Sequence, residues 1–404
     1  MESSLKIFNT MTTQKEPFQP RVPGKVSMFV CGPTVQGYLH VGHARTYTFY
    51  DVVARYFSHL GFEVNYVMNV TDIDDKITEA AKQEGVDAQR LAERYTKAFL
   101  EDTDGLKIYT VTKYERVSNY VQETMREISA LIGSGNAYVV DGTVYFSVES
   151  FPDYGKLSHL SQNELSLRPL ELSVKKKHLL DFALWRPVTL VEGRWDSPWG
   201  RGSPGWHIQD TAVTLNNFGP QYDIHGGAHE LVYPHHEAEI AQGEALTKVK
   251  PLVRYWVHTG LVKTEGSKMS KSAGNVLTIR DVLEEFGSDV LRLYLLSHHY
   301  REDMEFEEKG LRKMQDLYST LRDKSKVMEE RRATKARRRD SGKILAQFYA
   351  FLNDDFDTPN AIAFTRKLIE DGATDKDQNQ VELYYEALRI ASNILGVNFF
   401  GRLR

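Results

Sequence analysis

Alternating apolar and polar positions open the informative part of the chain. Val26, Met28 and Val30 alternate with Ser27 and Phe29, which predicts a short strand with one face buried. Cys31-Gly32-Pro33 ends that strand in a turn. Val52, Val53, Tyr56, Phe57 and Leu60 then recur at helical spacing up to Gly61, and Val64, Tyr66, Met68 and Val70 alternate again. Strand, turn, helix and strand make a βαβ unit, so the helix start faces the carboxyl edge of a parallel sheet. Gly37, His40, Gly42 and His43 lie at that start. Backbone N–H groups and the positive helix end make it a suitable phosphate site.

Residues 1–25 read as an extended lead-in punctuated by Pro17, Pro20 and Pro23. Helical patterns cover Glu79 to Glu101 and Val117 to Ile132, the latter ended by Gly133 and Gly135. Tyr138 to Val148 reads as a hairpin about Asp141-Gly142. Pro198 to Gly205 reads as a loop, and Tyr222 to Ile224 as a strand ending in a close-approach turn at Gly226-Gly227. His235 to Leu246 and Asp289 to Leu296 read as helices. Beyond Phe306 the pattern is almost wholly helical, with stripes at Ile344, Leu345, Phe348, Phe351, Leu352 and at Tyr384, Leu388, Ala391, Leu395. A helical bundle appended to an α/β nucleotide fold is expected.

Composition narrows the class. A chain of 404 residues with 41% hydrophobic and 26% charged residues fits a globular protein of more than one compact unit. No apolar run of about 18 residues predicts a membrane span, and the N-terminus lacks the pattern of a secretion signal. The one cysteine excludes an internal disulfide framework and fits a reducing, cytoplasmic setting. A net charge of −4 leaves any polyanion partner to local basic patches. Two such runs exist. Lys175-Lys176-Lys177-His178 reads as a solvated turn or a nucleic-acid contact. Between Arg331 and Arg339, six cations in nine residues read as a solvated linker or as contacts to a nucleic-acid backbone.

Two short motifs carry the chemistry. His40-Val41-Gly42-His43 alone could be two surface histidines, and Lys268-Met269-Ser270-Lys271-Ser272 alone could be a basic loop. Together they resemble the HIGH and KMSKS signatures of class I aminoacyl-tRNA synthetases. MFVCGPTVQGYLHVGHARTY, NVTDIDDKI, LDFALWRP, SPWGRGSPGWHI, DIHGGAHELVYPHHEAEIAQGEA, KMSKSAGNV and DDFDTPNAIA follow cysteinyl-tRNA synthetases in order, over nearly the whole chain.

That resemblance implies a Rossmann-like catalytic domain in two halves, at residues 1–132 and 191–256, split by a connective insertion at 133–190. A KMSKS-bearing region at 257–312 and an α-helical bundle at 313–404 would follow. It implies cysteine–tRNA ligation: cysteine, ATP with Mg²⁺, and tRNA, with tRNA(Cys) the expected species, in a cytoplasmic enzyme expected to be a monomer. His40, His43, Lys268 and Lys271 would stabilise charge on the phosphates, with Gly42, Glu230 and Ser270 also at the ATP. Glu230 stands where the family usually carries Asp. Cys31, Thr71, Trp206 and His225 would line or support the amino acid pocket.

His235 and Glu239, four apart, form a workable ligand pair on one helical face, or a helical charge pattern. The family binds zinc through two cysteines, a histidine and a glutamate, and the matching positions are Cys31, Asp210, His235 and Glu239. Asp210 replaces a cysteine, which keeps the ligand charge but hardens the donor set. In the family the substrate's sulfur meets the zinc, which rejects serine. The family also carries an anticodon-reading module after the bundle, whereas this sequence stops at Arg404. Weak use of anticodon bases is therefore expected. Asp210 and this ending leave a second reading open, a ligase similar to the mycothiol ligase branch, which passes an activated amino acid to a small amine. A third reading is a weakly catalytic binding paralogue.

Overall fold

A computed structural model describes residues 5–168, 175–187, 195–264, 267–268, 277–332 and 341–400. The chain starts with a hairpin, β1 (Lys6–Asn9) and β2 (Gln14–Pro17), then runs through β3 (Lys25–Val30), α1 (Val41–His59) and β4 (Glu63–Val70). Helices α2 (Asp75–Glu84) and α3 (Ala88–Gly105) lead to β5 (Lys113–Arg116) and α4 (Val121–Gly133). Next come β6 (Ala137–Val140), β7 (Thr143–Phe146), a short α5 (Gln162–Ser166), β8 (Phe182–Pro187) and β9 (Gly202–Pro204), with the strands in one antiparallel sheet. The chain returns through α6 (Trp206–Phe218), β10 (Tyr222–Ala228), α7 (Glu237–Thr247) and β11 (Val253–Thr259). It goes on to β12 (Val262–Thr264), β13 (Ser267–Lys268), α8 (Ile279–Phe286), α9 (Ser288–Leu296) and β14 (Met304–Glu305). Helices α10 (Glu308–Arg331), α11 (Gly342–Asn353), α12 (Thr358–Thr374) and α13 (Gln378–Leu395) complete the described residues.

The main sheet is parallel, in the order β11-β10-β3-β4-β5. The chain leaves β3 toward β4 and β5, then returns on the other side of β3, so the order reverses between β3 and β10. Ligands of such sheets bind in the crevice at that reversal, outside the carboxyl ends. The expected βαβ unit is present, but β3 is buried on both faces. Met28 and Val30 face the core around α1 and the bundle, whereas Phe29 and Cys31 face the core around α4, α6 and α7. Helices cover both sides of a parallel sheet, so one-sided burial does not apply.

Other elements correct the sequence reading. Residues 6–17 form a hairpin rather than a lead-in. Its strands are four residues each and largely polar, and they are held by distant partners: Phe8 N–H donates to Asp355 and Thr10 N–H to Trp256 O. Strand β9 lies inside the expected loop at 198–205. Gly226 and Gly227 lie within β10 rather than in a turn, and the close approach there is real. A Cβ at Gly226 would sit 2.4 Å from the Tyr50 ring, whose hydroxyl donates to Val257 O at 2.6 Å and accepts from Gly227 N–H at 3.0 Å. The Asp141-Gly142 hairpin forms as expected, both residues having positive φ.

A buried salt bridge ties α1 to α9 and, through it, to α13. Arg292 and Asp51 are fully buried and 2.7 Å apart, and Arg292 also donates to Leu106 O at 3.0 Å and Leu395 O at 2.9 Å. Among the described residues no helix is long and apolar enough to cross a membrane.

Candidate active site and metal centre

At the reversal between β3 and β10, a group of buried side chains converges. Cys31 follows β3, His225 projects from β10, Asp210 from α6 and Glu239 from α7. His235 and His236 come from the irregular turn Val232–His236, where Tyr233 has φ −131° and ψ 129°. Regular helix begins only at Glu237, two residues later than the expected start at His235. Because the turn is irregular, neighbouring histidines both reach the cluster. Cys31 Sγ lies 3.1 Å from His236 Nε2, 3.4 Å from His225 Nε2 and 3.6 Å from Asp210 Oδ2. His235 Nε2 lies 3.0 Å from Asp210 Oδ2 and 3.1 Å from Glu239 Oε1.

Each of these imidazoles is held from behind through Nδ1, the arrangement that fixes a ligating histidine. Tyr222 OH meets His225 Nδ1 at 2.6 Å, and His207 Nδ1 meets His235 Nδ1 at 2.8 Å. His236 Nδ1 meets His258 Nε2 at 2.8 Å, and Thr10 Oγ1 meets His258 Nδ1 at 2.7 Å. Asn69 donates through Nδ2 to Asp210 Oδ1 at 2.7 Å and to Thr71 Oγ1 at 3.2 Å. Trp206 stacks on His235 with ring centroids 4.2 Å apart, and Lys76 Nζ stands 5.4 Å from the indole centroid. Trp206 and Gln209 also line a cleft of about 450 Å³ that runs to Asp72, Asp74 and Arg186.

The electrostatics of this cluster are those of a site built around a cation. Burial pushes the Cys31 thiol up, and Glu239 and Asp210 push it further. Burial followed by Asp210 raises the Glu239 carboxyl. Burial also holds His225 and His236 well below the usual histidine range, so both rings are neutral and able to ligate. Glu239 is 1% exposed; imidazole nitrogens of His235 and His225 lie 3.1 and 3.7 Å from its oxygens, but neither oxygen accepts a well-aligned hydrogen bond from a described residue. A buried carboxylate left so is costly. The donor atoms of Cys31, Asp210, His235 and Glu239 lie within 4.8 Å of one another, as do those of Cys31, His225, His236 and Glu239. Sulfur, imidazole and carboxylate donors in this number fit a divalent transition-metal ion such as zinc.

Of the expected nucleotide residues, His40, Gly42 and His43 lie at the start of α1. His40 is its N-cap: Nδ1 accepts from Gly42 N–H at 3.1 Å, while His43 Nδ1 accepts from His40 N–H at 3.3 Å, with the rings 4.0 Å apart. Val41 N–H donates to Leu277 O at 3.2 Å and Ile279 N–H to Leu39 O at 3.0 Å. The chain leaving the KMSKS motif is thus hydrogen-bonded to the helix start that carries the histidines. Lys268 enters the motif on β13, paired with Lys263 of β12. Ser270 and Lys271 lie outside the described residues. Glu230 is exposed on the short turn after β10.

The basic runs serve internal contacts where they are described. Lys176 Nζ donates to Leu179 O and Asp181 O at 2.9 Å, Lys177 covers the Tyr138 ring, and Arg331 donates to Ala373 O and Asp375 O. Residues 333–339 lie outside the described residues. His236, His258, His207, Tyr222 and Asn69 are absent from the site read off the sequence. Only the His235-His236 doublet hinted at any of them.

Comparison with known proteins places this geometry. Residues 17–316 match the family model for the class I (C) tRNA synthetase catalytic domain. The cysteine–tRNA ligase of Carboxydothermus hydrogenoformans is 41% identical over 408 residues, covering 98% of this chain and 87% of the relative. That of Staphylococcus carnosus is 39% identical over 413 residues, covering 98% and 88%. Among solved structures, Mycobacterium tuberculosis methionyl-tRNA synthetase with methionyl-adenylate aligns with a TM-score of 0.68 at 15% identity, over 92% of each chain. The Agrobacterium radiobacter LeuRS ternary complex aligns with a TM-score of 0.66 at 12% identity, over 94% of this chain and 84% of that one. Those two likenesses establish the fold, and the family match and the two ligases establish the lineage: this chain belongs to the class I (C) tRNA synthetase family.

Proposed function

We propose that the chain is a cysteine–tRNA ligase working in the cytoplasm. A carboxylate oxygen of cysteine attacks the α-phosphate of ATP, pyrophosphate leaves, and the cysteinyl-adenylate passes its acyl group to the 3′-terminal ribose of tRNA(Cys), releasing AMP. One observation carries this reading. The His40–His43 helix start and residues 277–279 after KMSKS are hydrogen-bonded together at the same carboxyl edge as the Cys31–Glu239 cluster. Phosphates and amino acid then meet at one reversal of strand order.

His40 and His43 at the helix start, with the positive charges of Lys268 and Lys271 from the KMSKS motif, would stabilise phosphoryl oxygens that gain charge in the transition state. By the family resemblance, Gly42 would allow close approach to the nucleotide, and Glu230 and Ser270 would contribute to its binding; Mg²⁺ accompanies the ATP. Cys31, Thr71, Trp206 and His225 border the amino acid pocket. Cys31, Glu239 and the histidines and Asp210 around them would hold zinc. Zinc, when bound, supplies a Lewis acid that prefers a thiolate to a hydroxyl and so separates cysteine from serine. The relatives' shared name favours tRNA over a small amine as acceptor.

Amino-acid-dependent ATP–pyrophosphate exchange followed by charging of purified tRNA tests this reading. Exchange with cysteine and formation of cysteinyl-tRNA are expected. Exchange without charging of any tRNA would refute the acceptor.

A further inference from the structure

Asp102, on α3, is 2% exposed and accepts the backbone N–H of Leu39, the residue before His40. Arg280, the second residue of α8, stands against it, with Nε 2.8 Å from Asp102 Oδ1. The same guanidinium donates through Nη2 to Ala98 O and Glu101 Oε2, both at 2.9 Å. It also covers the ring of Tyr38, 4.9 Å from the centroid, and Tyr95 meets that ring edge-on at 5.3 Å. Resting on the ATP-dependent ligase reading above, we propose that Asp102 and Arg280 are positioning residues for amino acid activation. They hold Tyr38 and Leu39 so that the histidines of the α1 start meet the phosphates of ATP.

Leu39 is gripped through both of its backbone groups. Asp102 takes the N–H, and the carbonyl accepts from Ile279 N–H at 3.0 Å, one residue before Arg280. His40 follows directly, bridged to Thr278 and capping α1 with its imidazole. The segment returning from the KMSKS motif thus fixes the residue before His40 twice, once by its own backbone and once through Asp102.

The ion pair is what keeps that second contact in place. Burial opposes a charge on Asp102, Glu101 opposes it further, and Arg280 is the cation that supports it. Asp102 Oδ2 has no hydrogen-bond partner among the described residues. Without the guanidinium, a buried carboxylate would be left uncompensated and would tend to move or take up a proton. Displacement by about 1 Å of a group that faces reacting atoms costs on the order of 10²-fold in rate. Leu39 packs in the core around α1, whereas Cys31 packs in the core on the other face of the sheet, so the cysteine pocket should not feel the change.

Cysteine-dependent ATP–pyrophosphate exchange on variants of the intact chain tests this. Asp102→Leu removes the acceptor without stranding a charge, since Arg280 keeps Glu101. It should lower turnover about 10–100-fold and leave the KM for cysteine within about twofold. Asp102→Asn keeps an oxygen for the Leu39 N–H and should be at least about tenfold faster than Asp102→Leu. Arg280→Met gives a second, independent variant: turnover should fall, and adding Asp102→Asn should restore part of it, because the amide needs no counter-charge. Equal turnover in Asp102→Leu and Asp102→Asn would overturn the proposal. So would a double variant no faster than Arg280→Met, or losses that lie in the KM for cysteine. An unaltered chain without cysteine-dependent exchange would instead overturn the ligase reading, before any variant is compared.

Discussion

Replacing His43 separates a helix-capping role from a chemical one. Its Nδ1 accepts the His40 backbone N–H at 3.3 Å, so His43→Ala removes half of a reciprocal cap. Loss of such a cap costs about 0.5–2 kcal/mol. The damage stays local, because α1 is pinned further along by Arg45, which donates to Leu261 O at 3.1 Å and His299 O at 3.0 Å, and by the buried Asp51–Arg292 pair. We therefore expect a stability loss of about 1 kcal/mol by urea unfolding. The rate should fall far more. Removing one donor that faces developing phosphoryl charge costs about 10²–10³ in turnover, or roughly 2.7–4 kcal/mol. His43→Asn distinguishes the two roles: its side-chain oxygen can accept the same N–H, restoring stability, but it cannot replace the imidazole at the phosphate. Cysteine-dependent ATP–pyrophosphate exchange at saturating substrates is the assay. If His43→Asn recovers the rate along with the stability, the histidine is only a cap and plays no part at the phosphates.

Other outcomes follow from buried groups elsewhere. Arg292→Met should destabilise the chain by about 2–4 kcal/mol in urea unfolding, since it strands two buried carbonyls and leaves Asp51 with Arg55 and Thr110 but without its buried guanidinium partner. Glu127 has its carboxyl raised from 4.5 to about 8, by burial first and by Glu123 second. Folding then favours the protonated form, so its contribution is fully present below 4.5 and is lost as pH rises through 8. Glu127→Gln should accordingly raise the urea midpoint at pH near 8 and leave it unchanged at acid pH. Gly226→Ala should cost more than about 2 kcal/mol, because the added Cβ meets a Tyr50 ring fixed by two hydrogen bonds.

Much of the fold was legible because its signals are local. The β3–α1–β4 unit announces itself by period and by Gly61, the β6–β7 hairpin by Asp141-Gly142, and the bundle helices by their stripes. The N-terminal hairpin was not legible, since its strands are short, mostly polar and secured by Asp355 and Trp256 across hundreds of residues. Gly226-Gly227 suggested a turn because sequence does not reveal a tyrosine ring from α1 lying against a strand.

The donor cluster was half legible. Cys31, Asp210, His235 and Glu239 do converge. Helical spacing tied His235 to Glu239 but left out His236, because that reasoning presumed a regular helix where the chain makes an irregular turn. The outer partners Tyr222, His258, His207 and Asn69 depend on long-range packing that no spacing encodes. For the nucleotide residues, the motifs were plain, while their adjacency emerges only in the pairing of Leu39 and Val41 with residues 277–279.

The most direct measurement is ATP–pyrophosphate exchange with cysteine and with serine, before and after stripping zinc with a chelator and after restoring it. Exchange that requires cysteine, disappears with the metal and returns with it is the predicted result. Exchange driven equally by serine, or indifferent to removal of the zinc, would contradict an amino acid site built on the buried donors at the strand reversal.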